Sequence, residues 1–189
     1  MRFTKFMLAA FGAAAIFLGG CSTAPVTSSD RSQLHNDTQA AYNDFKTQDP
    51  SLDNLVSHAY GYAIFPSVGK GAIGVGGAYG QGEVFEHGKR VGYADMTQGN
   101  VGASVGGQTF AELIVFRTQD AMQRFESGQF TLTANASAVA AKAGAAADSK
   151  WENDVVVFTM VKGGLMADAS VGGQKFNFVP DNAQNQPPQ

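Results

Sequence analysis

One block of this chain constrains its fold more than any other. It runs Gly61-Tyr-Ala-Ile-Phe-Pro-Ser-Val-Gly-Lys-Gly-Ala-Ile-Gly-Val-Gly-Gly-Ala-Tyr-Gly-Gln-Gly-Glu83, with glycine alternating against aromatic and β-branched residues. Glycine this dense permits positive φ and close backbone approach, yet it weakens a strand by removing the side chains that pack. A sheet that keeps it needs bends, bulges or a tight backbone surface. The block echoes later as Ser104-Val-Gly-Gly-Gln-Thr-Phe110 and Ser170-Val-Gly-Gly-Gln-Lys-Phe176, 66 residues apart. Bend or bulge residues in two halves of one curved sheet are the ordinary reading of these glycine pairs. Two functional sites are the sharper alternative.

Residues 1–20 carry an address. Arg2 and Lys5 precede the thirteen-residue apolar run Phe6 to Leu18, which is signal-peptide length and too short to span a bilayer as a helix. The run ends in Leu18-Gly19-Gly20-Cys21, which resembles a bacterial lipobox. In lipoproteins of that kind the cysteine is cut free, acylated and becomes the first mature residue. Cys21 is the only cysteine, so no disulfide forms within the chain. Two acyl chains already give stable anchoring, so Cys21 would hold the protein on a membrane. Ser22 after it resembles lipoproteins forwarded to the outer membrane, with the domain facing the periplasm. An ordinary secretory peptide or a retained anchor is the plainer alternative. Residues 21–32 then read as a lipidated tether; about ten residues reach roughly 35 Å at full extension.

The mature chain, 21–189, has 169 residues with 11 basic and 16 acidic side chains, a net charge of −5. That length supports one domain with a core. The charge argues against nucleic acid, which calls for a basic patch. It argues equally against purely electrostatic attraction to anionic lipid.

Leu34, Ala41 and Phe45 fall at helical spacing and predict a helix over about 32–47, broken at Asp49-Pro50-Ser51. A second short helix, capped by Asp49 or Ser51, places Leu52, Leu55, Val56 and Ala59 on one face. From Tyr62 the period changes to that of strands: 63–65, 72–79, 83–85, 91–96 and 101–117. Turn signals stand at Glu86-His87-Gly88-Lys89 and Gln98-Gly99-Asn100. Thr118 caps a helix carrying Ala121, Met122 and Phe125 that Gly128 stops, and Phe130 to Thr133 returns to strand. Nine of the fourteen residues from Ala134 to Ala147 are alanine, which favours helix. Strands 155–161, 165–171 and 175–179 close the sheet, with Gly163-Gly164 as a hairpin turn. Residues 181–189 read as a disordered tail.

Gly61-Tyr62-Ala63-Ile64-Phe65-Pro66-Ser67-Val68-Gly69-Lys70-Gly71 and Gly76-Gly77-Ala78-Tyr79-Gly80-Gln81-Gly82 resemble the SYLF domain family. Val101-Gly102, Gly106-Gly107-Gln108, Gly163 to Ala167 and Gly172-Gly173 extend the resemblance over roughly 35–180. It implies a SYLF-like domain at 33–180 and an α+β fold. N-terminal helices would pack on a glycine-rich, mainly antiparallel curved or barrel-like sheet, with one further helix. It favours strand then loop for Ala134 to Ala147. It also implies lipid binding. Eukaryotic members are linked to phosphoinositide through a basic amphipathic helix and, in fungi, to actin. Here the first helices carry Asp37, Asp44, Asp49 and Asp53 against Arg31 and Lys46, which departs from that pattern. A periplasmic protein meets neither ligand, so actin is set aside as a partner.

Three motifs invite chemistry. Gly102-Ala-Ser104-Val-Gly106 matches the nucleophile elbow, which needs a strand–turn–helix context and a later histidine; His87 is the last histidine. Gly69-Lys-Gly71-Ala-Ile-Gly74 matches a dinucleotide fingerprint, which needs a helix after it, whereas Val75-Gly-Gly-Ala-Tyr-Gly80 makes a poor helix. Glycine-rich turns do form anion-binding nests. Gly69, Lys70 and Gly71 are therefore read as a candidate phospholipid-headgroup cradle, joined by the cations Lys89, Arg90 and Lys175. A tight turn with a solvated lysine is the plain alternative. His35, His58 and His87 lack metal spacing, so no metal and no cofactor are expected. Glu83 and Glu86 read as a solvated face, and Trp151 as cover for a core edge. The expectation is a non-enzymatic lipoprotein that binds phospholipid or another envelope amphiphile. The alternative is a structural envelope protein whose glycine face docks a protein partner. Oligomeric state is left open.

Overall fold

The computed structural model describes Pro25 and residues 27–133, 138–140 and 142–182. The signal segment, Cys21 and most of the tail lie outside the described residues. Helices α1 (Ser28–Gln48) and α2 (Ser51–Ser57) precede strands β1 (Gly61–Glu86) and β2 (Lys89–Phe116). Helix α3 (Gln119–Glu126), β3 (Thr131–Thr133), β4 (Ala138–Ala140) and β5 (Val155–Pro180) complete the chain order. Helix α1 starts earlier than its apolar spacing predicts. Thr27 and Asp30 form a capping box, so residues 28–32 of the expected tether are helical. Thr118 caps α3 by accepting from the Ala121 N–H, and Gly128 ends it at φ 69°.

The fold is α+β, with sheet order β1-β2-β5-β3 and β4 pairing parallel onto β5. The other pairings are antiparallel and the sheet is not closed into a barrel, so the curved-sheet expectation stands. Three expected turns are instead strand. Gln98-Gly99-Asn100 lies inside β2, Gly163-Gly164 inside β5, and Gly69-Lys70-Gly71 inside β1, paired to Thr109, Gln108 and Gly107. Gly164 takes φ 92° where the β2–β5 register slips by one at Thr109/Phe110, so the glycine absorbs a bulge and not a reversal.

Strands of 26 to 28 residues would run straight for about 90 Å, whereas a domain this size has a radius of gyration of about 15 Å. The sheet folds over on itself. Gly74, at φ 73°, stands alone against three residues of β2 between Val101 and Val105, two more than regular pairing needs, and this irregularity marks the crease. A near limb (61–73, 105–116 and 155–167) faces a far limb (75–86, 89–101 and 171–180). Along β1 the limbs meet almost backbone to backbone: a Cβ on Gly82 would lie 2.3 Å from the Ile64 carbonyl oxygen. Only glycine allows that approach, which accounts for Gly82 in the opening block, whereas Cβ atoms on Gly69 and Gly71 would meet nothing within 4 Å.

Away from the crease, at the base, the inner space is filled with rings. Phe65 and Phe176 sit 5.7 Å apart across the limbs, and Phe116, Phe125 and Phe130 join them through α3. The outer face of the near limb, with Leu113, Val115, Val156 and Phe158, is covered by Ala41 and Phe45 of α1, Leu52 of α2 and the turn carrying Ala145 and Ala146. Asp49 ties that turn down. Its carboxylate accepts from the Ser51 hydroxyl (2.6 Å) and from the N–H groups of Ser51, Gly144 (3.1 Å) and Ala146 (2.7 Å). Within Ala134 to Ala147 the described residues are thus strand, then turn, as expected from the resemblance. Ala134–Ser137 and Ala141 lie outside them.

Candidate functional site

At the crease the usual polarity of the sheet is reversed. Side chains alternate along β2, so Phe110, Glu112, Ile114 and Phe116 share the inner face while Ala111, Leu113 and Val115 face outward. At the base both faces are apolar and buried. Toward the crease the outer row becomes Ile73, Val75, Val101, Val105 and Leu165. Ile73 is 87% exposed and Leu165 91%, with Ile73 opposite Val105 and Val75 opposite Val101. The inner row becomes polar: Gln98, Asn100, Glu112 and Gln174 are all buried.

These inner groups line a cavity of ≈ 160 Å³ between the limbs, bounded by Lys70, Gln98, Gln108, Phe110, Glu112, Thr159, Val161 and Gln174. Gln174 Nε2 donates to Glu112 Oε2 at 3.0 Å and reaches Gln98 Oε1 at 3.4 Å, clasping the far limb to the near one. Glu112 Oε1 is buried and accepts no hydrogen bond from the described residues. Burial pushes the Glu112 carboxyl up to about 7, against the smaller opposing effect of the Gln174 amide. A buried carboxyl with one oxygen unpartnered, at the wall of a polar cavity, is a site that asks for a donor.

The cations expected around the glycine loop are not gathered in one place. Lys70 lies on the cavity wall. Gly69 and Gly71 flank it in extended strand, where successive N–H groups point to opposite sides, so they form no converging nest. Lys89 and Arg90 open β2 at the hairpin, at the base end of the far limb. Arg90 is held by Glu83 at 2.9 Å and by Asp181 at 3.3 Å, and lies over the Tyr93 ring. Glu83, read from sequence as solvated, is buried, with its other oxygen 3.0 Å from His35 Nδ1. Lys175 is exposed between the inward Gln174 and Phe176, on the opposite face of the sheet from the cavity. Cys21 lies outside the described residues.

Ser104 sits mid-strand in β2, without the strand–turn–helix setting of a nucleophile elbow. Gly69 to Gly74 likewise lead into strand and no helix. His58 bonds the Asn54 carbonyl, and His87 packs edge-on to Tyr60. No metal-capable cluster of three side chains occurs among the described residues. Trp151 packs on the α1 side of the sheet beneath the Arg117 guanidinium.

Sequence reading missed Glu112. Its signal was available: a lone carboxylate in the alternating row Phe110, Glu112, Ile114, Phe116, beside an apolar run that drew attention instead.

Comparison with known proteins fits this architecture. The family model described as Las17-binding protein actin regulator, Ysc84, matches residues 97–186, which take in most of β2 and all of β5. Residues 97–186 thus carry a SYLF-family match. A relative from Aeromonas veronii, Beta cell expansion factor A, is 27% identical over 131 residues. The match covers 68% of this chain and 49% of that protein, so the chain spans about half the length of that relative. The family match begins beyond the Gly61–Gly82 block, which carries the longest motif of the resemblance. The crease cavity is thus bounded on two strands, β2 and β5, by the matched region.

Proposed function

We propose that this protein is a membrane-anchored, periplasm-facing lipoprotein whose SYLF-like domain binds phospholipid or another envelope amphiphile without catalysing a reaction. The reversed polarity of the crease carries this reading. Exposed apolar clusters mark surfaces that meet another apolar phase, and an apolar exterior around a polar interior is the arrangement of lipid-facing β-structure. Removing a valine, isoleucine or leucine from water is worth about 1.5–3 kcal/mol each. The crest of Ile73, Val75, Val101, Val105 and Leu165 therefore supplies attraction that the acidic net charge does not. Acylation at Cys21 would fix the domain near the bilayer, and the crest would add the selective contact. No helix among the described residues is long and apolar enough to cross a membrane.

The setting of Ser104 inside a strand supports a non-enzymatic reading, since a nucleophile there lacks the elbow that would present it. The actin connection belongs to the family description; on an envelope protein facing the periplasm it has no partner to act on. A second reading keeps a structural envelope protein that docks a protein partner, favoured by β1 standing at one edge of the sheet order.

Vesicle flotation of residues 21–189 carrying Cys21→Ser, which cannot be acylated, tests the first reading. Binding that Ile73→Ser and Leu165→Ser each reduce supports it. Flotation with no lipid composition, together with a stoichiometric crosslinked partner, transfers the function to protein docking.

A further inference from the structure

Building on the lipid reading, we propose that the crease cavity is a headgroup site for a phosphate–primary-amine zwitterion of the phosphoethanolamine type. Glu112 would accept its ammonium group.

The chemistry of the lining selects this class. Glu112 Oε1 is buried and unpartnered among the described residues, and it belongs to a carboxyl only 1% exposed. Beside it stands the amide oxygen of Gln98, and Gln174 fixes the carboxyl from the opposite limb. A primary ammonium carries three N–H donors, which match a carboxylate oxygen and neighbouring amide oxygens. A quaternary ammonium has none and is instead recognised by aromatic cages. Among the described residues, Phe110 is the only aromatic side chain lining this cavity. Lys70 on the same wall provides the charge complementary to a phosphate. The free volume of ≈ 160 Å³ suits a headgroup and leaves acyl chains outside. There Val161, 61% exposed, continues from the cavity wall toward solvent, and Leu165 lies four residues on at the crest. Burial that leaves Glu112 poised near 7 is relieved when a cation settles beside it, so the ligand would hold it as carboxylate.

The test uses residues 21–189 with Cys21→Ser and vesicles of phosphatidylcholine alone, with added phosphatidylethanolamine, or with added phosphatidylglycerol. A titration with soluble glycerophosphoethanolamine, read from the side-chain amide NMR signals of Gln98 and Gln174, runs alongside. A charge-assisted hydrogen bond predicts about tenfold preference for phosphatidylethanolamine vesicles. Glu112→Gln brings that binding down to the phosphatidylcholine level, and Thr159→Phe, which fills the cavity from the position paired with Glu112 on the neighbouring strand, does the same. Thermal melts confirm that both variants fold. Equal binding to all three vesicles overturns the headgroup site while lipid binding stands. Amide shifts with the soluble zwitterion but no vesicle binding support the site and overturn the membrane reading. Neither vesicle binding nor shifts overturns both.

Discussion

The base and the crease of one folded sheet are built from the same three strands and obey opposite rules. At the base, Phe65, Phe116 and Phe158 are fully buried, and helices or the other limb cover both faces. At the crease the apolar side chains face solvent and the polar ones face inward. The base has the organisation of a water-soluble core; the crease has the reverse, and the proposed lipid-facing role rests on that reversal. A fold can keep such a region only if the base supplies enough stability for both.

The first way to break this comparison is to truncate each region in turn. Phe65→Ala or Phe158→Ala at the base is expected to cost about 3–5 kcal/mol in urea unfolding, the range for large-to-small changes in a filled core. Leu165→Ser at the crest is expected to stay within about 0.5 kcal/mol, as for surface changes. A loss of several kcal/mol at Leu165 would mean that the crest packs within the domain.

Two of the buried carboxylates, Asp49 and Glu112, sharpen it. Burial would by itself raise Asp49, at the base, but its hydrogen bonds, led by the Ser51 hydroxyl, hold it below the usual carboxylate range. It therefore contributes stability above its unfolded pKa that disappears as pH falls through its folded value. Glu112, raised from 4.5 to about 7, does the reverse. Its favourable contribution is complete below 4.5 and is lost as pH rises through 7. Glu112→Gln is thus expected to stabilise the protein at pH 8 by on the order of 3 kcal/mol and to change little at pH 4. Asp49→Asn should destabilise at pH 8 and matter least in acid. Chemical unfolding at the two pH values checks both signs; matching signs would contradict the contrast.

Glycine separates the regions more gently. Gly82→Ala forces a Cβ to within 2.3 Å of the Ile64 carbonyl, with an expected loss of about 1–3 kcal/mol. Gly71→Ala meets nothing within 4 Å and is expected to be neutral or to gain up to about 1 kcal/mol. Equal losses in thermal melts would show that the limbs do not approach as closely along β1.

What could be read from sequence divides along the same line. The Glu86–Lys89 hairpin and the Thr118 cap of α3 were legible because each rests on local turn or capping chemistry. The glycine block announced bends, and Gly74 and Gly82 supply one bend and one close approach. The long strands were not legible, because glycine inside a strand and glycine at a turn look alike until pairing is known. Gly163-Gly164 was misplaced for that reason. The inversion at the crease was hidden by register. A bulge shifts which residues share a face, so isolated residues such as Ile73 and Leu165 cannot be assigned to a side from alternation alone. Glu112 was legible only as a break in an otherwise apolar row. The scattered cations misled, since Arg90 serves a buried Glu83 and Lys175 faces away from the cavity.

Depth-dependent quenching tests the central claim most directly. In residues 21–189 with Cys21→Ser, Leu165→Trp is combined with Trp151→Phe, and native Trp151 at the base serves as the reference. With brominated-lipid vesicles, the indole introduced by Leu165→Trp is expected to shift to the blue and be quenched, while Trp151 in the unmodified background is unaffected. Vesicle binding that leaves the crest indole unquenched, or quenches Trp151 instead, would contradict a crease that faces lipid.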